Sequence, residues 1–318
     1  MEFVNNNLKK VCIGIDLGGS HITCILSDIN GIIIDKLNEV INDRSIDNVL
    51  NIIANTCNNL INRNKDIQCL GIGIGIPGNV DPINGNTRYL PNFGWLEPVN
   101  IGDYLKKNVG NGNLKISMRN DGRCAAIAEF KYGAGINSNV LAMLTIGTGI
   151  GGALIIKGNL FDGSTFDAGD FGHHVIHSGS LAFDCVCGKK GCFEYHASAD
   201  GLLRHYKKLN GNKNIQNAYE FMNELRSSNK DPIIIQAFND FRDDLSTGLA
   251  NLVTFYNPDT IILGGGLSQA SELFDGLVEM VDKKTLPATR GKVKIIPAML
   301  STDAGAIGAA AIAFSEVL

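Results

Sequence analysis

Three cysteines and a histidine lie close together in one stretch of the 318-residue chain. They are Cys185, Cys187 and Cys192, spaced C-x-C-x4-C, and His173 a short loop upstream. Three thiolates and one imidazole are the donor set of a closed, tetrahedral, structural Zn²⁺ site. Gly188 and Gly191 let the backbone turn tightly enough for the sulfurs to face one point. A reduced cysteine loop without metal is the alternative, and the short ligand spacing favours zinc.

Two carboxylates flank this predicted metal loop, which is residues 173–192. Asp170 precedes the loop, and Glu194 follows its last cysteine. A structural metal orients the groups around its ligands as well as the ligands themselves. We therefore expect the metal loop to hold Asp170 and Glu194 rigidly.

Two segments of the chain share one hairpin design. Residues 11–28 and residues 141–158 each contain an alternating apolar run, a glycine-rich turn and a second alternating run. Period-two alternation around a glycine turn predicts a β-hairpin. Two such hairpins, about 130 residues apart, predict two related α/β halves whose glycine tips meet in a cleft between two lobes.

Hydrophobic periodicity places the remaining elements of an α/β fold. The predicted strands are residues 32–37, 69–76, 115–118, 260–263 and 293–296. The predicted helices are residues 45–63, 121–132, 199–208, 217–227, 231–256 and 304–316. We expect a small lobe over residues 1–119, to which the terminal helix (304–318) returns. A larger lobe over residues 120–303 carries the metal loop.

The glycine-rich turns are the candidate phosphate sites, because they expose backbone N–H groups. The residues assigned to nucleotide and Mg²⁺ binding are Asp16, Gly18, Gly19, Ser20, Thr148, Gly149, Gly265 and Gly266. Asp16 would hold Mg²⁺ or its water shell, and Ser20 and Thr148 would offer hydroxyls to phosphates. The glycine unit that ends at Gly266 suits a backbone passing beneath adenine. Plain structural turns are the alternative, which the repetition disfavours.

Asn120 and Asp121 follow a predicted strand and open a predicted helix. Asp121 could accept a proton from a substrate hydroxyl that Asn120 also binds. The alternative is an ordinary helix N-cap. Loops containing Gly78 and Asn92 could wall a sugar pocket or be plain turns.

A lone tryptophan is more often a core residue than a binding platform, so we assign Trp95 to the core. Four histidines outside the metal loop's ligand set are interpreted as surface or loop residues. These are His174, His177, His196 and His205, of which His196 is a minor candidate near the site.

Composition excludes several classes of protein. A charged fraction of 19% and a net charge of −4, without basic stretches, argue against a nucleic-acid partner. The five other cysteines lie singly, mostly in apolar runs, as buried reduced thiols do in a reducing compartment. Neither a signal-peptide pattern nor an uninterrupted apolar run of about 18 residues is found. We expect a cytoplasmic protein without a membrane partner.

Taken together, these motifs resemble the ROK family of sugar kinases and repressors, over residues 11–312 and in the family's order. Asp16-Leu17-Gly18-Gly19-Ser20 is similar to its first phosphate loop, and Gly147–Gly152 to its second. Asn120-Asp121 matches its catalytic pair, and Gly169–His173 its Gly-Glu-x-Gly-His signature. The cysteine motif through Glu194 resembles its zinc signature, which is highly specific.

The resemblance implies an actin-like, ribonuclease-H-like duplicated ATPase fold and the glucokinase/hexokinase branch. It implies that Asp121 is the catalytic base, that His173 binds both zinc and sugar, and that Glu194 binds sugar hydroxyls. ATP and Mg²⁺ would accompany structural Zn²⁺, with phosphorylation of a hexose 6-hydroxyl, glucose first, and a homodimeric assembly.

Two positions depart from the family pattern. Ser20 replaces a threonine but retains the hydroxyl, so the departure that matters is at position 170. Asp170 stands where the family usually has Glu, which withdraws the carboxylate by about 1.3–1.5 Å. An N-acetylglucosamine or N-acetylmannosamine kinase is therefore the alternative. A sugar-responsive regulator is less favoured, because only about 15 residues precede Asp16, too few for a DNA-binding domain.

Overall fold

The structure is a computed structural model that describes residues 8–90, 93–228 and 231–318. It contains two compact units. The first comprises the described residues up to Ile136, together with Gly163–Asp167 and Leu300–Leu318. The second comprises Asn137–Asp162 and Ala168–Met299.

The division between the units falls after residue 136, whereas the sequence placed it at 119–120. The reason is the helix α3 (Asp121–Tyr132), which packs along the terminal helix α9 (Ala304–Val317) and so belongs to the first unit. A short excursion, Gly163–Asp167, also joins that unit. There Arg88 donates to the carbonyl oxygen of Thr165 over 2.8 Å.

The strands follow one another along the chain as β1 (Lys9–Leu17), β2 (His21–Ser27), β3 (Ile33–Val40), β4 (Ile67–Ile76), β5 (Asn79–Asp81), β6 (Asn86–Tyr89), β7 (Lys115–Asn120), β8 (Val140–Ile146), β9 (Ile150–Ile156), β10 (Asn159–Leu160), β11 (Thr260–Gly264) and β12 (Lys294–Pro297). Besides α3 and α9, the helices are α1 (Ile46–Arg63), α2 (Ile101–Asn108), α4 (Phe193–Ala197), α5 (Ala199–Lys208), α6 (Ala218–Arg226), α7 (Pro232–Tyr256) and α8 (Leu277–Lys283).

The main sheets of the two units have the same topology. Within the described residues each has five strands, in the orders β3-β2-β1-β4-β7 and β10-β9-β8-β11-β12. In both, the first three strands pair antiparallel and the last two add in parallel. Both glycine turns join the first two strands of their sheet. The predicted duplicated α/β fold is therefore confirmed.

The first sheet has one helical layer on each face. Val11, Ile13 and Ile15 of β1 share a cluster with Val49 and other residues of α1, on one face. Cys12 points to the other face and packs with α9. The backbones approach closely there, since a Cβ on Gly73 of β4 would lie 1.8 Å from the carbonyl oxygen of Ala309. Glycine in the strand and small residues on α9 therefore let the helix pack directly on the sheet.

The core of the second unit lies between its sheet and α7. Phe241, Leu245 and Leu249 of α7 are fully buried there. Phe193 of α4 packs directly on α7, because a Cβ on Gly248 would lie 2.2 Å from its ring. This contact seats the short helix that follows the metal loop against the longest helix of the unit.

No helix of the described residues has the length and apolarity needed to cross a membrane. Trp95 is 5% exposed and its indole nitrogen donates to the carbonyl oxygen of Arg44, so its predicted core position is confirmed.

Candidate functional site

Three carboxylates come together in the first unit, at Asp16, Asp121 and Asp303. Asp16 lies near the end of β1 against the start of α9, where a Cβ on Gly305 would stand 2.6 Å from its Oδ2. Burial, followed by the charges of Asp121 and Asp303, raises the pKa of Asp16 to about 6. Lys36 donates to Asp303 over 2.5 Å. Crowded carboxylates of this kind favour binding of a proton or a hard cation such as Mg²⁺.

Asn120 combines two of the roles considered from the sequence. Its Oδ1 accepts from the backbone N–H of Arg123 over 3.3 Å, which is an N-cap bond. Its Nδ2 donates to the carbonyl oxygen of Gly78 over 3.2 Å, so the structure brings these two predicted sugar-site residues together. Asn92 lies outside the described residues.

Asp121 is the first residue of α3 and is half-buried. Burial raises its pKa, against backbone N–H bonds that lower it, among them the bond from Gly122 over 2.8 Å. A carboxylate with a raised pKa is a stronger base than an exposed one. The geometry therefore suits proton acceptance at the N-terminus of a helix.

The tip of the first glycine turn is open. A Cβ on Gly19 would meet no atom within 4 Å, and Ser20 is exposed. The turn closes through the N–H of Gly18, which donates to the carbonyl oxygen of His21 over 2.9 Å. The hydroxyl of Ser20 bonds Nδ1 of His21 over 2.8 Å.

The metal-loop donors converge in the second unit. The ligand atoms of His173, Cys185, Cys187 and Cys192 all lie within 4.8 Å of one another. The sulfurs of Cys187 and Cys192 are 3.6 Å apart, and Nδ1 of His173 is 3.9 Å from the sulfur of Cys185. Ligands at zinc bond lengths in a tetrahedron are separated by about 3.3–3.8 Å. The donor set and its spacing therefore fit Zn²⁺.

Glu194 links the metal loop to the second glycine turn. It belongs to α4, whose N-cap is the metal-loop residue Cys192. Its Oε2 accepts from the N–H of Ile150 over 2.9 Å. A Cβ at position 149 would lie 2.4 Å from the same oxygen, so a larger residue there would displace the Glu194 carboxylate. Asp170 is exposed, at the start of the turn that contains His173.

A pocket of about 520 Å³ opens in the second unit beside the same turn. Its lining residues are Gly147, Thr148, Ala199, Asn217, Ala218, Tyr219, Met222, Arg226, Gly266, Leu267, Gln269 and Ala270. Thr148 and Gly266 were predicted from sequence. Gly265 precedes the lining residue Gly266 and packs against the backbone of β8, since a Cβ there would lie 2.4 Å from the carbonyl oxygen of Ile146. The α6 residues carry no motif, and the sequence did not identify them.

The interpretation of the histidines as surface or loop residues is wrong for two of them. His196 is 1% exposed and His205 is 6% exposed. Both contact the buried carboxylate of Asp244 on α7, as does His177. Burial would raise the pKa of Asp244, but hydrogen bonds from the three imidazoles hold it well below its usual range. The sequence missed Asp244 because a polar residue in a long amphipathic helix is expected to face solvent.

Two sheets of identical strand order, each with a glycine-tipped hairpin, define the actin-like class of ATPase folds. The chain matches the ROK family over residues 12–316, and it belongs to that family. It is similar to the glucokinase of Thermotoga maritima, with 31% identity over 96% of this chain and 97% of the relative. It is also similar to the xylose repressor of Bacillus spizizenii, with 27% identity over 99% of this chain and 80% of the repressor.

Solved structures agree with this assignment. The ROK hexokinase of Thermus thermophilus superposes with a TM-score of 0.84 at 25% identity, covering 96% of this chain and 99% of that one. A ROK glucokinase of Streptomyces griseus, in complex with glucose and AMPPNP, gives a TM-score of 0.73 at 25% identity, with the same coverage.

Proposed function

We propose that this chain is an ATP-dependent hexose kinase that phosphorylates the 6-hydroxyl of glucose. The observation that carries the proposal is Asp121, a half-buried carboxylate of raised pKa at a helix start, beside Asn120 and near the charge of Asp16. Phosphoryl transfer needs a positioned base and neutralisation of charge on the phosphates, and little more.

In this mechanism Asp121 accepts the proton of the attacking hydroxyl while Asn120 orients the sugar. Asp16 would hold Mg²⁺, which neutralises charge on the phosphates. The open turn of Gly18, Gly19 and Ser20 would bind phosphate oxygens through its N–H groups and hydroxyl.

The nucleotide would occupy the pocket of the second unit. Thr148 and Gly149 would contact phosphate, and Gly265 and Gly266 would carry the backbone beneath the adenine ring. The pocket lining is largely apolar, with Ala218, Met222 and Leu267 among its residues, which suits a planar base.

Sugar-binding roles are proposed for Gly78, Asn92 and Asn120 in the first unit. The same role is proposed for Asp170, His173 and Glu194 in the second unit. Zinc held by His173 and the three cysteines would be structural, because four protein donors leave no open position for a reacting water. Its role would be to keep His173 and Glu194 in place.

Release of ADP tests the proposal, measured with purified protein and glucose, fructose, N-acetylglucosamine or N-acetylmannosamine in turn. We expect turnover with glucose in the wild-type protein and loss of that turnover in Asp121→Asn. Absence of turnover with every sugar would refute the kinase assignment.

An N-acetylhexosamine kinase is the second candidate, favoured by the shorter side chain at Asp170. That exposed carboxylate leaves more room for a substituent on the sugar than Glu would. A higher kcat/KM for an N-acetylhexosamine than for glucose in the same panel would select it.

A sugar-responsive regulator is the third candidate, because one relative is a repressor. Specific duplex binding in a gel-shift assay, without kinase turnover, would select it. We further propose that the protein is cytoplasmic and forms a homodimer. Light scattering of the purified protein would measure its mass and so test the dimer.

A further inference from the structure

Three imidazoles surround one buried carboxylate beside a cavity of about 300 Å³ in the second unit. The carboxylate is Asp244 of α7. Its Oδ1 is 2.5 Å from Nε2 of His177, and its Oδ2 is 2.9 Å from Nδ1 of His196 and 3.2 Å from Nε2 of His205. We name these four residues the histidine cluster. His177 comes from the metal loop, His196 from α4 and His205 from α5.

The donor types would suit a second metal ion, but the spacing does not. Nitrogen and oxygen ligands at 2.0–2.2 Å from a tetrahedral ion lie about 3.3 Å apart. The contacts of the histidine cluster, 2.5–3.2 Å, are instead direct hydrogen bonds. The sulfurs of Cys187 and Cys192 in the metal loop, 3.6 Å apart, have the wider spacing that an ion requires.

Further hydrogen bonds of His196 and His205 support the same conclusion. Nε2 of His196 accepts from the backbone N–H of Phe183 over 3.2 Å, so its proton lies on Nδ1, which faces Asp244. Nε2 of His205 also faces the carbonyl oxygen of His196 over 3.1 Å, so it carries a proton too. These two nitrogens donate hydrogen bonds and have no free lone pair for a metal.

The cluster joins parts of the chain that surround a proposed sugar ligand. The helix α4 has five residues, too few to be stable without tertiary contacts. Cys192, a predicted metal ligand, is the N-cap of α4, and His196 near the C-terminal end of the helix bonds to Asp244. Glu194 lies between these two anchors. His177 ties the metal loop to the same carboxylate.

Phe183 adds a further contact of the loop with the cluster. Its ring stacks on that of His196, with centroids 4.4 Å apart and an interplanar angle of 19°. The loop is thereby held against α4 by stacking as well as by hydrogen bonds.

We infer that Asp244 is a positioning residue, which fixes the metal loop and α4 together so that Glu194 keeps its place at the sugar site. The inference rests on the proposed kinase function only for the role of Glu194. The contacts of the histidine cluster with the metal loop and α4 do not depend on that function. Asparagine at 244 has the same shape, but its amide group would present N–H to an imidazole N–H.

Asp244→Asn tests the inference, with Asp243→Asn as a matched control. Asp243 is the adjacent carboxylate of α7, with 64% side-chain exposure and an ion pair to Lys284. We expect the sugar KM to rise roughly tenfold in Asp244→Asn, as on losing a buried charge-assisted hydrogen bond, with kcat and the ATP KM nearly unchanged. Asp243→Asn should behave as wild type.

Zinc provides a readout that does not depend on activity. Wild-type protein should contain one Zn²⁺ per chain, and Asp244→Asn should release it to 4-(2-pyridylazo)resorcinol several-fold faster. His177→Gln alters only the half-buried loop contact, and should give a smaller effect in the same direction. It decides the question if Asp244→Asn does not fold.

Three results would overturn the inference. One is two metal ions per wild-type chain with one lost in Asp244→Asn, which would identify a metal site. Another is a loss of kcat in Asp244→Asn in proportion to the fraction of unfolded protein, without change in the sugar KM. That result would mean a purely structural role. The third is unchanged zinc release and sugar KM. If wild-type protein phosphorylates no sugar, the proposed function fails. Zinc release still tests whether Asp244 holds the metal loop and α4 together.

Discussion

Asp16 of the first unit and Asp244 of the second are both withdrawn from solvent, but the pKa values of their carboxyl groups shift in opposite directions. Burial and the neighbouring charges of Asp121 and Asp303 raise the pKa of Asp16 to about 6. Asp244 is also buried, but donor groups from three histidines surround it and lower its pKa. Asp16 has two carboxylates as neighbours, of which Asp303 is paired with Lys36, whereas Asp244 accepts hydrogen bonds from three imidazoles.

This difference separates binding groups from supporting groups. A crowded carboxylate gains free energy when it takes up a proton or a cation, so it is suited to chemistry. A buried carboxylate that already accepts several hydrogen bonds gains less from a ligand and instead holds its donors in place. The same distinction divides the metal loop, with donors at metal-ligand spacing, from the histidine cluster, with donors at hydrogen-bonding distance.

The largest expected effect concerns the reactive side of this comparison. Asp121→Asn should lower kcat by about 10²–10⁴-fold, because the amide cannot accept the hydroxyl proton. The sugar and ATP KM values should change little. Steady-state kinetics on purified variants measures this, with the exposed Asp103→Asn of α2 as control. Wild-type turnover in Asp121→Asn would place the base elsewhere.

The next effect concerns the metal loop. Cys187→Ser should remove the Zn²⁺ from the protein, lower the thermal midpoint by several degrees and raise the sugar KM about tenfold or more. Metal analysis, scanning calorimetry and kinetics check the three parts. Cys69→Ser, at a half-buried thiol outside the loop, should retain the metal. A fully active, metal-free Cys187→Ser protein would contradict the role of zinc as a support for Glu194.

A smaller effect tests the crowding of Asp16 through pH. Its folded-state pKa of about 6 lies above the unfolded value near 3.9, so the folded state binds more protons between these values. Stability from this group is therefore complete below pH ~4 and is lost as pH rises through ~6. Without Mg²⁺, Asp16→Asn should exceed wild type in unfolding free energy by about 1–3 kcal/mol at pH 7.

Urea denaturation at pH 4.5, 6 and 8 measures this difference between Asp16→Asn and wild type. The gap should widen as pH rises. A gap that is constant with pH would show that Asp16 is not strained by its neighbours.

The smallest effect concerns specificity. Asp170→Glu should shift the ratio of kcat/KM values for glucose and N-acetylhexosamines several-fold toward glucose, because the longer side chain reaches further into the sugar site. The substrate panel measures the ratio. A ratio identical to that of wild type would show that Asp170 does not determine specificity.

Local signals in the sequence explain what could be predicted. Residues 121–132 and 199–208 have the predicted bounds, because Asn120 and Ser198 are N-caps whose side chains accept from the first turn. The glycine hairpins were found because alternation and turn chemistry agree along the chain. The repeat of one hairpin design predicted two related halves, and the structure adds that their strand orders are identical.

Other features depend on contacts between distant segments. The helix α2 has only eight residues, which is shorter than the window of about 11–18 residues that a helical pattern needs to be recognised. Burial of His196 and His205 depends on Asp244, which lies 48 residues beyond His196 in sequence. The boundary at 136 depends on packing of α3 with α9, at the other end of the chain. No local pattern carries such information.

The most direct test of the account is the product itself, observed by ³¹P NMR after incubation of wild-type protein with ATP, Mg²⁺ and glucose. A phosphomonoester on the 6-hydroxyl should accumulate together with ADP, and no such signal should appear with Asp121→Asn. Unchanged ATP, or hydrolysis to inorganic phosphate alone, with glucose and every other hexose, would contradict it.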